Sequence, residues 1–133
     1  MINPTSLPLM IIDDDDDLRN ALTFIMSAHG YEVAAFGDAR RAFGALETGA
    51  PPFLILLDLM MAGMSGWEFR AAQLASVTLS GIPVVILTAA NTLTDGVHTL
   101  SDVEIVEKPF ALDALLALVA RYAAAARPSL TDH

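Results

Sequence analysis

Apolar positions in this chain gather into short runs, each stopped by polar or charged residues. Leu7-Pro8-Leu9-Met10-Ile11-Ile12 is the first run, and it stops at five aspartates. It reads as a buried strand. Leu18, Ala21, Leu22, Ile25 and Met26 then recur at helical spacing. Asp15, Asp16 and Asp17 fall where an N-cap and a first turn belong, and Gly30 fits the position just past the helix end. Tyr31–Phe36 predicts a second strand, and Asp38–Thr48 a helix closed by Gly49. Phe53–Leu57 is the strongest strand signal and ends at Asp58. A glycine-rich loop, Met61-Ala62-Gly63-Met64-Ser65-Gly66, leads into a helix over Trp67–Ala75. Ile82–Leu87 reads as a buried strand ending at Thr88, and Val103–Glu107 as a weaker one ending at Lys108-Pro109. Ala111–Ala126 predicts the last helix, and 127–133 a polar tail.

Strands and helices thus alternate five times. That order predicts an α/β fold with a parallel sheet, helices on both faces and right-handed crossovers. The 133 residues make one domain, with a core over about 7–126. The 54% apolar share suits a sheet buried on both faces.

Composition removes several function classes. There is no cysteine, so disulfides and thiolate chemistry are excluded. The formal charge is -9, with seven Lys and Arg, which argues against direct nucleic-acid or anionic-membrane binding. No apolar run reaches membrane-spanning length, and Met1–Pro8 lacks the basic start of a signal peptide. A cytoplasmic location is the expectation. His29, His98 and His133 have no paired ligand spacing, and the methionines and Trp67 read as core or helix-face residues.

The chemistry collects where the apolar runs stop. In a parallel sheet Asp13, Asp14, Asp58, Thr88 and Lys108 share one edge, where ligands of such folds bind. Two carboxylates roughly 4 Å apart repel by about 4 kcal/mol at an effective dielectric near 20. Lys108 is the sole lysine of the chain and cannot balance three acids. A hard divalent cation answers that excess, and Mg²⁺ favours a few carboxylates plus water. The same parts serve phosphoryl transfer, with Asp58 able to act as a carboxylate nucleophile. A calcium loop counted from Asp13 fails, because its sixth and twelfth positions hold Leu18 and Phe24. Asp15 to Asp17 read as a capped, solvated helix start.

Five motifs in this order resemble the receiver domain of bacterial two-component response regulators. They are Ile11-Ile12-Asp13-Asp14, Leu56-Leu57-Asp58-Leu59-Met60-Met61, Gly63-Met64-Ser65-Gly66-Trp67-Glu68, Ile86-Leu87-Thr88-Ala89 and Lys108-Pro109-Phe110. The resemblance spans about Leu7 to Ala126 and implies a (βα)₅ flavodoxin-like three-layer sandwich with strand order 2-1-3-4-5. It implies Asp58 as phosphoacceptor, and Mg²⁺ held directly by Asp14 and Asp58, through water by Asp13, and by the backbone carbonyl of Met60. It gives Thr88 and Lys108 the phosphoryl oxygens, and makes Lys108-Pro109 cis. The donor would be the phosphohistidine of a sensor histidine kinase or a histidine phosphotransfer protein. The output would be docking on another protein, with the chain a monomer or weak dimer. It would catalyse only its own phosphorylation and dephosphorylation.

The chain departs from the family pattern in three places. The stretch 90–102 is short, with a weak pattern for a fourth helix. Ile105 stands where an aromatic switch residue is common. Ala62 and Ser65 replace a common proline and aspartate, with little expected consequence. Three other readings compete: a receiver cut from a larger regulator or hybrid kinase, a receiver-like module that never turns over phosphate, and a Mg²⁺-dependent aspartyl phosphohydrolase. The last needs an acid two residues after its nucleophile, where this chain has Met60.

Overall fold

The computed structural model describes residues 7–89 and 103–126. Its elements run β1 (Leu9–Ile12), α1 (Asp16–Ala28), β2 (Val33–Phe36), α2 (Ala39–Thr48), β3 (Leu54–Leu57), α3 (Gly66–Leu74), β4 (Val84–Ala89), β5 (Glu104–Lys108) and α4 (Leu112–Ala126). The five strands form one sheet in the order β2-β1-β3-β4-β5, with every pairing parallel. The alternation of elements predicts the parallel α/β sheet, and the family resemblance implies this flavodoxin-like strand order. The stretch 90–102, with its weak pattern for a fourth helix, and the tail 127–133 lie outside the described residues.

The central strands read as continuous apolar runs because both of their faces are covered. Side chains alternate between faces. Met10, Ile12, Ile55, Leu57, Val84 and Ile86 pack with Ala42 and Leu46 of α2 and Phe69 of α3. Leu9, Ile11, Leu54, Leu56, Val85 and Leu87 pack with Leu22 and Met26 of α1 and Leu115 and Val119 of α4.

Helix starts follow their capping residues. Asp15 accepts a hydrogen bond from Leu18 N at 3.1 Å, with Asp16 and Asp17 in the first turn of α1. Asp38 accepts from Arg40 N at 2.7 Å and from Arg41 N at 3.2 Å. Ser65 and Glu68 exchange side-chain to backbone bonds in a capping box, so α3 starts at Gly66, one residue before the predicted Trp67. Ser65, which stands where the family commonly has an aspartate, thus caps α3. His29 caps α1 with Nδ1 2.9 Å from Ile25 O, and Gly30 follows at φ 93°.

The strand bounds shift from those predicted. β1 begins at Leu9 and β2 at Val33, where pairing with each other begins. β4 runs past Leu87 to Ala89, because Thr88 pairs with Glu107 and Ala89 with Lys108. Pairing with a neighbour across the sheet sets these ends, and no local pattern carries that information.

Candidate functional site

Two loops deliver three carboxylates to the carboxyl edge of the sheet. Where β1 stops, Asp13 is 2% exposed and Asp14 is exposed; where β3 stops, Asp58 is 7% exposed. An oxygen from each lies within 4.8 Å of the others. Lys108, at the end of β5, reaches across with Nζ 2.8 Å from Asp13 Oδ2 and 3.8 Å from Asp58 Oδ1. Thr88 is fully buried beside them, and its Oγ1 has no hydrogen-bond partner among the described residues. These residues, with Asp15, Met60 and Ala89, line a cleft of about 320 Å³. All five residues predicted for the strand ends therefore meet in one place.

The loop after β3 holds Asp58 in place by close backbone packing. A Cβ on Gly66 would fall inside contact distance of the Asp58 carbonyl oxygen and 2.7 Å from Leu59 Cα. Only glycine lets α3 start so near the end of β3. Its N–H donates to Leu59 O at 2.9 Å. Gly63 supplies the turn at φ 76°.

The electrostatics record an excess of negative charge. The Asp58 carboxyl is pushed up to about 6, first by burial and then by the neighbouring Asp13 charge, with Asp14 adding less. Lys108 and the Met60 amide pull the other way without restoring the ordinary range. Three hard oxygen donors with one ammonium are the donor set that a small divalent cation fits. The Lys108–Pro109 peptide is cis.

Some residues lie elsewhere than expected. Met10 and Met26 are core, but the Met60 side chain is 61% exposed at the mouth of the cleft, a correction to reading every methionine as core or helix face. A loop that turns Asp58 inward turns its second neighbour out. Arg19, absent from the sequence reading, donates from Nη1 to the Asp13 carbonyl at 2.8 Å. Its sequence neighbours are the acids of the first turn, and the pattern carries no signal for the Asp13 carbonyl. Ile105 is half-buried against the α2–α3 face of the sheet.

The model of the response regulator receiver domain matches residues 9–120. The chain belongs to the receiver family of two-component systems. Among curated relatives, the DNA-binding response regulator MtrA of Mycolicibacterium smegmatis is 35% identical over 114 residues, covering 84% of this chain and 48% of MtrA. The receiver therefore spans about half the length of the curated relatives it matches. Among solved structures, the receiver domain of a signal transduction histidine kinase from Syntrophus aciditrophicus superposes with a TM-score of 0.81 at 24% identity, over 96% of this chain and 98% of that one. The response regulator TrrA from Thermotoga maritima, in complex with Mg²⁺ and BeF, gives a TM-score of 0.74 at 24% identity, over 87% and 98%. These likenesses establish the fold. No helix among the described residues is long and apolar enough to cross a membrane.

Proposed function

We propose that this receiver is a phosphoacceptor, and that Asp58 takes its phosphoryl group from the phosphohistidine of a sensor histidine kinase or histidine phosphotransfer protein. One observation carries the reading: a buried Asp58 carboxylate within 4.8 Å of two further acids and 3.8 Å from the only lysine. A carboxylate oxygen of Asp58 forms the new bond to phosphorus as the phosphorus–nitrogen bond breaks. The imidazole leaves with the electron pair and takes up a proton. Lys108 pairs with one phosphoryl oxygen, and Thr88 Oγ1, which has no competing partner among the described residues, donates to another. Asp13, Asp14 and Asp58, with the Met60 carbonyl, would hold Mg²⁺, which would supply charge neutralisation to the phosphoryl oxygens.

The chain acts on itself alone and signals by docking on another protein in the cytoplasm. A phosphohydrolase would need a proton donor where Met60 exposes a thioether. Intact mass after incubation with Mg²⁺ and a small acyl phosphate tests the proposal. The native chain gains one phosphoryl group and Asp58→Asn gains none. The reading is lost if neither a small donor nor a kinase labels the native chain. Rapid multiple turnover of a phosphomonoester would favour the hydrolase.

A further inference from the structure

We infer that Arg19 is a positioning residue for the metal site, completing the sheet ladder from a side chain and so fixing the Asp13–Asp14 peptide. The inference rests on the Mg²⁺ reading above. Between β1 and β2, Leu9 N donates to Glu32 O at 2.8 Å and Asp13 N to Phe36 O at 3.0 Å. In that register the next donor, for the Asp13 carbonyl, is the amide of residue 38. Asp38 is already the N-cap of α2, and β2 has stopped at Phe36. Arg19 supplies the missing donor, with Nη1 2.8 Å from Asp13 O. Its other arm, Nη2, lies 2.5 Å from Asp16 Oδ1.

The Asp13 carbonyl belongs to the peptide plane that continues into Asp14, so holding it sets where Asp14 points. Asp13 needs little further help. Its Oδ1 accepts from Asp15 N at 2.9 Å and its Oδ2 from Lys108 at 2.8 Å. Asp14 is exposed, and its carboxylate meets the Ala62 amide at a long 3.4 Å. Its aim therefore rests on the backbone that Arg19 holds. Gly37 makes room for this arm: a Cβ there would sit 2.8 Å from Arg19 Nη1. The Asp16 carboxylate at 2.5 Å offsets the guanidinium charge, so the arm acts through geometry more than through repulsion of a cation.

Titration of the metal-free native chain, Arg19→Met, Arg19→Lys and Gly37→Ala with MgCl₂ by calorimetry tests this. Arg19→Met should weaken Mg²⁺ binding about tenfold, the scale of lost outer-shell support. Arg19→Lys keeps the charge but loses the two-armed fork, and should weaken it roughly threefold. Gly37→Ala displaces the arm without touching the site and should give a smaller loss, about twofold. The double variant Arg19→Met with Gly37→Ala should lose no more than Arg19→Met alone, because both act through one arm. If Arg19 were only a nearby charge, its removal would tighten Mg²⁺ binding, so equal or tighter binding overturns the inference. A native chain that takes up no Mg²⁺ overturns the metal reading and this inference with it. Should Arg19→Met fail to fold, Gly37→Ala decides alone: full native affinity there overturns the inference.

Discussion

The two edges of the sheet both hold buried polar groups, but among the described residues only the carboxyl edge leaves some of them unmet. At the amino edge, Gln73 of α3 is fully buried, and its Nε2 donates to Leu79 O at 2.9 Å and to Ile82 O at 3.0 Å. Its Oε1 accepts from Arg70 Nη1 at 2.7 Å. Those bonds tie α3 to the segment entering β4 and satisfy the Gln73 amide. At the carboxyl edge, Thr88 Oγ1 has no partner among the described residues, and Asp58 has a carboxyl pushed up to about 6. Trp67 Nε1, in the first turn of α3 at this same edge, is also buried without a partner there. A satisfied polar group in a core is built for stability, and an unsatisfied one costs stability and is kept for what it will bind. The contrast separates scaffold from site without reference to any relative.

The sharpest break of that contrast is Gln73→Leu. It leaves Ile82 O without its Gln73 donor and Arg70 Nη1 without its Gln73 acceptor, while Leu79 O keeps the Ile82 amide at 3.1 Å. An unmet buried group costs about 1–3 kcal/mol, so a loss of about 2–3 kcal/mol is expected in urea unfolding. Phosphoryl uptake at Asp58, read by intact mass, should continue at the native rate. Loss of uptake in a chain that remains folded would show the two edges to be coupled.

Asp58→Asn should act in the reverse sense. The folded carboxyl titrates near 6, above its ordinary 3.8, so the unfolded chain gives up its proton first. The contribution of this group is therefore full below about pH 4 and is lost as pH rises through 6. In EDTA, native stability relative to Asp58→Asn should fall by about 2 kcal/mol between pH 4 and pH 7. Parallel curves for the two proteins would mean that Asp58 is not held away from its ordinary range. Uptake should be abolished in the variant.

The same division marks what was legible in the sequence. Leu54–Leu57 announced itself because a strand covered on both faces has no polar position, and the residue that ends it is then conspicuous. Asp13 and Asp58 are interruptions of that kind, whereas Lys108 ends a partly exposed edge strand and stands out as the sole lysine. Gln73 and Arg19 do not stand out, since a polar residue on a helix reads as solvated unless its partner is known. The carbonyl partners of Gln73 lie six and nine residues on, and the carbonyl partner of Arg19 six residues back, at no helical spacing. The raised Asp58 carboxyl depends on burial and on which charges converge, and both arise only once the strands have paired.

Thr88→Val tests the unsatisfied edge more gently. Valine matches the shape and removes an oxygen that has no partner among the described residues, so stability should stay within about 1 kcal/mol of native or rise. Affinity for beryllofluoride with Mg²⁺, a phosphoryl mimic, should fall about tenfold, one hydrogen bond's worth. A marked fall in stability would mean that the hydroxyl already has a structural partner and belongs with Gln73.

The smallest effect is expected at Met60, where the edge meets solvent. Its side chain is 61% exposed on the lip of the cleft, two residues past Asp58. A thioether offers almost nothing to orient a water molecule for attack on an acyl phosphate. Slow loss of the phosphoryl group follows, and a half-life of seconds in the native chain would contradict it. Met60→Gln keeps the unbranched length and adds an amide that can hold such a water. Hydrolysis, followed by decay of the phosphorylated mass, should quicken by roughly threefold to tenfold. Unfolding should be unchanged, because the side chain contributes nothing to the core. A rate that moves without stability is the signature of the carboxyl edge, as stability that moves without rate is that of Gln73.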